Sequence, residues 1–224
     1  MSGRVDRRAA LLVLAGVIAG LAYSSFVIDW VLRGFEGMTE VVSELAAPGA
    51  PHATLSRLLD LLCAVLVLVL LAFVGAAMPP RPTRTVLLVS TLVFALGAAA
   101  AAVITAPCSE GTACGSAAQR SQSFLHNAFS TASDVGLYVG MAAAWAATRR
   151  TGPRWFHRCA WWLFWLSGAT AGVLMGLSVV ADWPEWALGA SQRVHIAGMS
   201  AWIVCLSVFA ARQPAHSSRP GGSP

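Results

Sequence analysis

Apolar side chains run along this chain in long blocks separated by short polar punctuation. Six blocks reach or approach the ~20 residues that an α-helix needs to cross a hydrocarbon core of about 30 Å. They lie at about Ala9 to Leu32, Leu58 to Ala77, Thr85 to Ala106, Phe124 to Ala147, Cys159 to Val180 and Gln192 to Ala211. The pattern predicts an all-α fold, a polytopic membrane protein built as a six-transmembrane-helix bundle. The first block is too long for a removable signal peptide, lacks a small-residue cleavage site and is flanked by Arg4, Arg7 and Arg8, so it reads as a retained span. "MPPRPTR" and "RRTGPR" predict tight turns, and "EGMTEVVSELAA" in the longest connection predicts a short amphipathic helix. Residues 1–211 form a single transmembrane domain on this reading. Residues 212–224, ending in "QPAHSSRPGGSP", form a disordered Pro-, Gly- and Ser-rich tail.

The fourth block breaks its own pattern. His126, Ser130 and Asp134 are spaced by four, so in a helix they stack along one face, with Ser123 one turn earlier. Asp134 lies eight residues beyond His126, about 12 Å deeper at 1.5 Å per residue. An ionised carboxylate at the centre of a span costs on the order of 3 kcal/mol on insertion scales. The group is therefore expected to be neutral, paired or open to a wet cavity.

Composition agrees with a membrane solvent: 57% of the 224 residues are hydrophobic and 11% charged, with a mean hydropathy of +0.66. Every basic residue is an arginine. Arg4, Arg7, Arg8, Arg81, Arg84, Arg149, Arg150, Arg154, Arg158, Arg212 and Arg219 fall on one side of the predicted topology, against Arg33, Arg57, Arg120 and Arg193 on the other. Eleven against four predicts cytoplasmic N and C termini, and thus a multi-pass protein of the cell membrane. The net charge of +5 is then a topology signal that implies no nucleic acid, with membrane lipids as the expected partners, anionic ones included. Except for Asp6, the acidic residues lie in outer loops or outer halves of spans, which turns any chemistry outward. Trp30, Trp183 and Trp186 mark one interface; Trp145, Trp155, Trp161 and Trp162 mark the other.

Cys108 and Cys114 share the outer loop "APCSEGTACGSAAQR", where an oxidising compartment favours a disulfide. Cys63, Cys159 and Cys205 read as packing residues in spans. Gly16 with Gly20, Gly136 with Gly140, and Gly168 with Gly172 and Gly176 repeat at every fourth position, a spacing that permits close helix contact.

Partners for the stripe come from other spans near the same face: Asp29 in the first, Arg57 and Asp60 opening the second, Arg193 and His195 opening the sixth. Together they predict an outward-opening polar pocket. Each also has a plainer reading: Arg57 with Asp60 as a local ion pair, Arg193 as a headgroup contact, His195 as a solvated interfacial residue, and the stripe as interhelical hydrogen bonding. A zinc set of His126, His195 and Asp60 or Asp134 lacks any supporting spacing, so no metal and no cofactor is expected.

Three stretches carry a family resemblance: "VVSELAAPGAPHATLSRLLDLL", "PCSEGTACGSAAQRSQSFLHNAFS" and "LGASQRVHIAGMSAW". They resemble segments of the bacterial membrane family known as domain of unknown function 998. The resemblance implies Ser43, Arg57, Asp60, Cys108, Cys114, Ser123, His126, Gln192 and Arg193 as matching positions, with Pro107 where the family pattern would carry an acidic residue.

Two function classes follow. In the first, an acid/base enzyme acts on a lipid or isoprenoid, by hydrolysis or proton-initiated cyclisation, with Asp134, His126 and Asp60 as catalytic groups and Ser130, Ser123, Arg57, Arg193, His195 and Asp29 binding the substrate. In the second, the protein is a small transporter, ligand-binding or partner subunit whose polar stripe is structural. Nucleotide enzymology is excluded, since no G-x-x-x-x-G-K-[ST] loop and no G-x-G-x-x-G turn occurs.

Overall fold

A computed structural model describes residues 2–35, 41–107, 114–150, 152–180 and 185–213. Every regular element among the described residues is helical. In chain order these are α1 (Ser2–Tyr23), α2 (Ser25–Leu32), a 3-10 turn (Val42–Ala46), α3 (Ala53–Ala77), α4 (Pro82–Val103), α5 (Ala117–Thr148), α6 (Arg154–Leu163), a π-helical segment (Phe164–Thr170), α7 (Ala171–Val180) and α8 (Glu185–Arg212).

Among the described residues, four helical segments are long and apolar enough to cross a membrane: α3, α4, the continuous run Arg154–Ser178, and Trp186–Arg212. The first predicted span is broken, with α1 and α2 meeting at 55° around Ser24; counted together they make a fifth. The break coincides with a polar pair, Ser24 Oγ and Ser200 Oγ at 2.8 Å, which anchors the bend to α8. Helix α5 is long enough, at 32 residues, but its polar first half keeps it outside the apolar set. The expectation of six spans is thus supported for four, or five with the bent pair. Of the stretch predicted as an amphipathic helix, the described part carries a 3-10 turn at Val42–Ala46; residues 36–40 lie outside the described residues, as does the tail beyond 213.

Local chemistry sets the ends. Ser116 caps α5 reciprocally with Gln119, the Ser116 hydroxyl accepting from the Gln119 amide at 3.1 Å and the Gln119 side chain from the Ser116 amide at 3.0 Å. Pro82 opens α4, where its missing N–H is no loss. Packing is by small residues: α4 lies along α5, and α1 along α8. A Cβ on Gly136 would stand 2.7 Å from the Ser90 carbonyl oxygen, and one on Gly20 3.0 Å from that of Ser200. Gly172 and Gly176 face open space, so in the third glycine repeat only Gly168 marks a close contact. The core is apolar, with Trp202, Phe94, Phe156, Leu87 and Met199 fully buried. Phe156 stacks between Trp202 at 5.3 Å and Phe209 at 4.2 Å. Leu58, Val65, Val69, Val89 and Leu96 point outward and exposed, as side chains facing lipid do.

Candidate functional site

At the arginine-poor end, the α1–α2 break, the 3-10 turn, the starts of α3, α5 and α8 and the end of α4 converge on a cavity of about 90 Å³, room for several waters or one small polar group. Its walls are alanines of α4 and Ile196; its polar lining comprises Tyr23, Ser25, Ser43, Ser56, Asp60, His126, Ser130, Ser133 and Gln192. Gln192 of α8 holds the 3-10 turn over the cavity, accepting from the Val42 amide at 2.6 Å. Arg57 closes the same turn from α3, its Nε donating to the Ala46 carbonyl at 2.9 Å. The expected Arg57–Asp60 ion pair is therefore absent among the described residues. Asp60 lines the cavity with no hydrogen-bond or ion-pair partner among them.

His126 is buried and its orientation is fixed. Nδ1 lies 2.7 Å from the Ile104 carbonyl oxygen and 3.1 Å from that of Ala101. Those carbonyls belong to the end of α4, where helix termination removes their amide partners. Both are acceptors only, so Nδ1 carries a proton, and Nε2 is the ring nitrogen left for another partner.

The polar stripe divides. A step of four residues in a helix with 3.6 per turn advances the face by about 40°, so Asp134 sits roughly 80° around α5 from His126. His126 and Ser130 line the cavity. Asp134 instead meets α8, with its Oδ2 3.2 Å from His195 Nε2 and its side chain 26% exposed. The other side of the His195 ring contacts the Tyr138 hydroxyl, and that hydroxyl donates to the Ser167 carbonyl at 2.9 Å. Ser167 lies in the π-helical segment, whose altered hydrogen bonding frees a carbonyl for an outside donor. Since Tyr138 donates to Ser167, it accepts from His195 Nδ1–H. The contact of His195 Nε2 with Asp134 then needs one further proton, on either partner, and the pair is neutral as a unit. That is how this carboxyl is accommodated within the bundle. Tyr23 belongs to the cavity lining.

Other expected site residues lie elsewhere. Asp29 is buried at the end of α2, 2.9 Å from His52 Nδ1 and 3.7 Å from Arg33 Nη1. Arg193 is buried, donates to the Gly189 carbonyl at 3.0 Å and lies 5.8 Å over the Phe26 ring. Ser123 is half-buried outside the cavity lining. His195 is buried, not solvated. No group of three or more His, Cys, Asp or Glu side chains that could hold a metal occurs among the described residues, so the zinc set is not assembled. Cys63, Cys159 and Cys205 are free thiols; Cys108 lies outside the described residues, and the expected bridge with it. Sequence reasoning missed Tyr23, Ser56, His52 and Tyr138. Tyr138 was within reach, since it continues the four-residue spacing one step beyond Asp134.

Apolar outward faces around an apolar core, with a small polar cavity at one end, define a helical protein of the multi-pass membrane type. The sequence profile of the family described as "Protein of unknown function (DUF998)" matches residues 14–209, and the chain belongs to that family. No curated protein and no solved structure matches it.

Proposed function

We propose that the protein is an acid/base enzyme of the bacterial inner membrane, acting on the polar end of a lipid or isoprenoid. The observation that carries this reading is the shared cavity of His126 and Asp60. Nδ1 of His126 is committed to two carbonyls, which leaves Nε2 as a base, while the carboxyl of Asp60 lines the same cavity with no hydrogen-bond or ion-pair partner among the described residues. In a hydrolysis, Nε2 takes a proton from water or from a serine hydroxyl of the lining, and Asp60 protonates the departing oxygen. A volume of about 90 Å³ admits a headgroup-sized fragment, so the hydrocarbon chain stays among the lipid-facing helices. Asp134 and His195, assigned to catalysis and binding on sequence grounds, are not among the residues that line the cavity and have no direct role in this reading.

The test is incubation of purified protein with a membrane lipid extract, followed by mass spectrometry of the lipids. The wild type should convert a lipid. Asp60→Asn and His126→Ala should each slow the conversion by about 100-fold or more, the usual weight of one acid or base, with thermal stability near wild type. Unimpaired conversion by either variant would remove the proposal. A lipid that co-purifies but is never converted would favour the second reading, a ligand-binding subunit. That reading is supported by Asp29 and Asp134, both partnered by histidines.

Sidedness belongs to the same proposal: the arginine-rich end and both termini face the cytoplasm, the cavity faces outward, and Cys108 is bridged to Cys114. Thiol labelling of intact cells with an impermeant reagent tests all of it. Cysteine at Ala50 should label and cysteine at Ser2 should not, while Cys108 and Cys114 should label only after reduction. Labelling at Ser2 would reverse the orientation.

A further inference from the structure

At the opposite, arginine-rich end a second cavity, of about 300 Å³, opens between the α3–α4 turn, the end of α5, the turn before α6 and the end of α8. That volume is at the lower end of the range of roughly 300–1,000 Å³ typical of ligand sites. Its polar lining is Arg81, Thr83, Arg84, Thr148 and Gln213, and no carboxylate of the described residues lines it. Thr148 spends its proton on the Ala144 carbonyl at 2.7 Å. Arg84 reaches across to α3, where its Nη2 lies 3.6 Å from the position a Cβ on Gly75 would take. Its Nε is buried and has no acceptor among the described residues.

The surrounding cations do not relieve this. Arg8 lies over Phe73 at 5.3 Å, Arg149 over Trp145 at 5.7 Å and Arg212 over Trp155 at 5.3 Å, each facing a ring. No carboxylate among the described residues pairs with Arg81 or Arg84. A buried guanidinium N–H without an acceptor is a defect that native interiors rarely keep, and a planar fork of donors suits a tetrahedral oxyanion.

We propose that this cavity binds a phosphate-bearing anion, with Arg84 as the principal donor and Arg81 beside it. The site is independent of the acid/base reading at the other end. Its ligand is either the headgroup of an anionic phospholipid or free phosphate, two sources of one chemistry.

The full chain in detergent is assayed with two probes. Inorganic phosphate is added in a thermal-shift titration, and phosphatidylglycerol is offered against phosphatidylcholine, with the retained lipid counted by native mass spectrometry. Wild type should respond to at least one probe. Arg84→Gln should weaken that response about tenfold, the loss expected for a hydrogen bond to a charged group, and Arg81→Gln by less. Arg84→Lys should recover only part, because an ammonium keeps the charge but not the fork; it also serves if the glutamine variant folds poorly. A response to phosphatidylglycerol alone assigns the site to lipid, and a response to phosphate alone assigns it to the free anion. Arg150→Gln, an exposed arginine outside the cavity, should change nothing. Binding that is equal in wild type and Arg84→Gln, equally lost in Arg150→Gln, or absent from wild type with both probes overturns the proposal.

Discussion

Helix α5 presents a carboxyl environment on two of its faces, and they differ in one respect. The cluster of Asp134, His195, Tyr138 and Ser167 closes on itself, each donor having its acceptor within the bundle. The cavity holding Asp60 and His126 is left open: one imidazole nitrogen is tied down, while the other nitrogen and the Asp60 carboxyl have no partner among the described residues. Both combine an aspartate with a histidine in an apolar bundle. Only the second has proton-transfer capacity that the fold itself does not consume. For intramembrane polar groups, the number of donors and acceptors left over is thus a better guide to function than their presence.

The largest test of this contrast is the pair Asp60→Asn and Asp134→Asn in the lipid-conversion assay. The first should abolish turnover by about 100-fold or more, and the second should leave it within a few-fold. A reversed order would mean that the closed cluster is the working one, and the comparison would collapse.

A smaller effect separates the two sites through packing. Gly168 of the π-helical segment leaves room for the Tyr138 ring, and a Cβ there would lie 2.6 Å from it. Gly168→Ala should therefore displace Tyr138, loosen the closed cluster and destabilise the protein by roughly 1–3 kcal/mol, as overpacking does. The open cavity, lined by other residues, should keep its chemistry. Gly172→Ala, one turn further on and facing open space, is the control and should not lower the melting temperature. Since alanine is the better helix former, equal losses from both would mean that the contact with Tyr138 does not set the effect.

The apolar blocks made the helices legible, because membrane spans announce themselves by length and hydropathy alone. What they hid was interruption. The bend at Ser24 rests on a contact with Ser200, 176 residues away, and the π-helical turn accompanies the hydrogen bond from Tyr138; neither partner is adjacent in sequence. The site was half legible for the same reason. Spacing by four placed His126, Ser130 and Asp134 on one line, but an α-helix drifts by about 40° per such step, enough to hand Asp134 to a different neighbour. Arg57 looked like the partner of Asp60 because three residues separate them, yet the carbonyl of Ala46 claims it. Which acceptor an arginine takes is decided by where helix ends leave carbonyls unpaired, and that is a property of the assembled bundle.

The smallest predicted effect is the most discriminating for the closed cluster. Donor counting requires one proton between Asp134 and His195, with His195 Nδ1–H already given to Tyr138. An asparagine at 134 can supply that proton from its amide and stays neutral, so Asp134→Asn should be close to silent in thermal stability. Asp134→Ala removes the contact and should cost about 0.6 kcal/mol, the average for interhelical hydrogen bonds in membranes, with about 1.7 kcal/mol as the upper end. Were the shared proton held by His195, so that charges stabilise the fold, asparagine would leave an unbalanced imidazolium in the bundle and would be the worse of the two substitutions. Thermal melts of both variants at neutral pH decide between them: asparagine milder than alanine places the shared proton on Asp134, and the opposite order places it on His195.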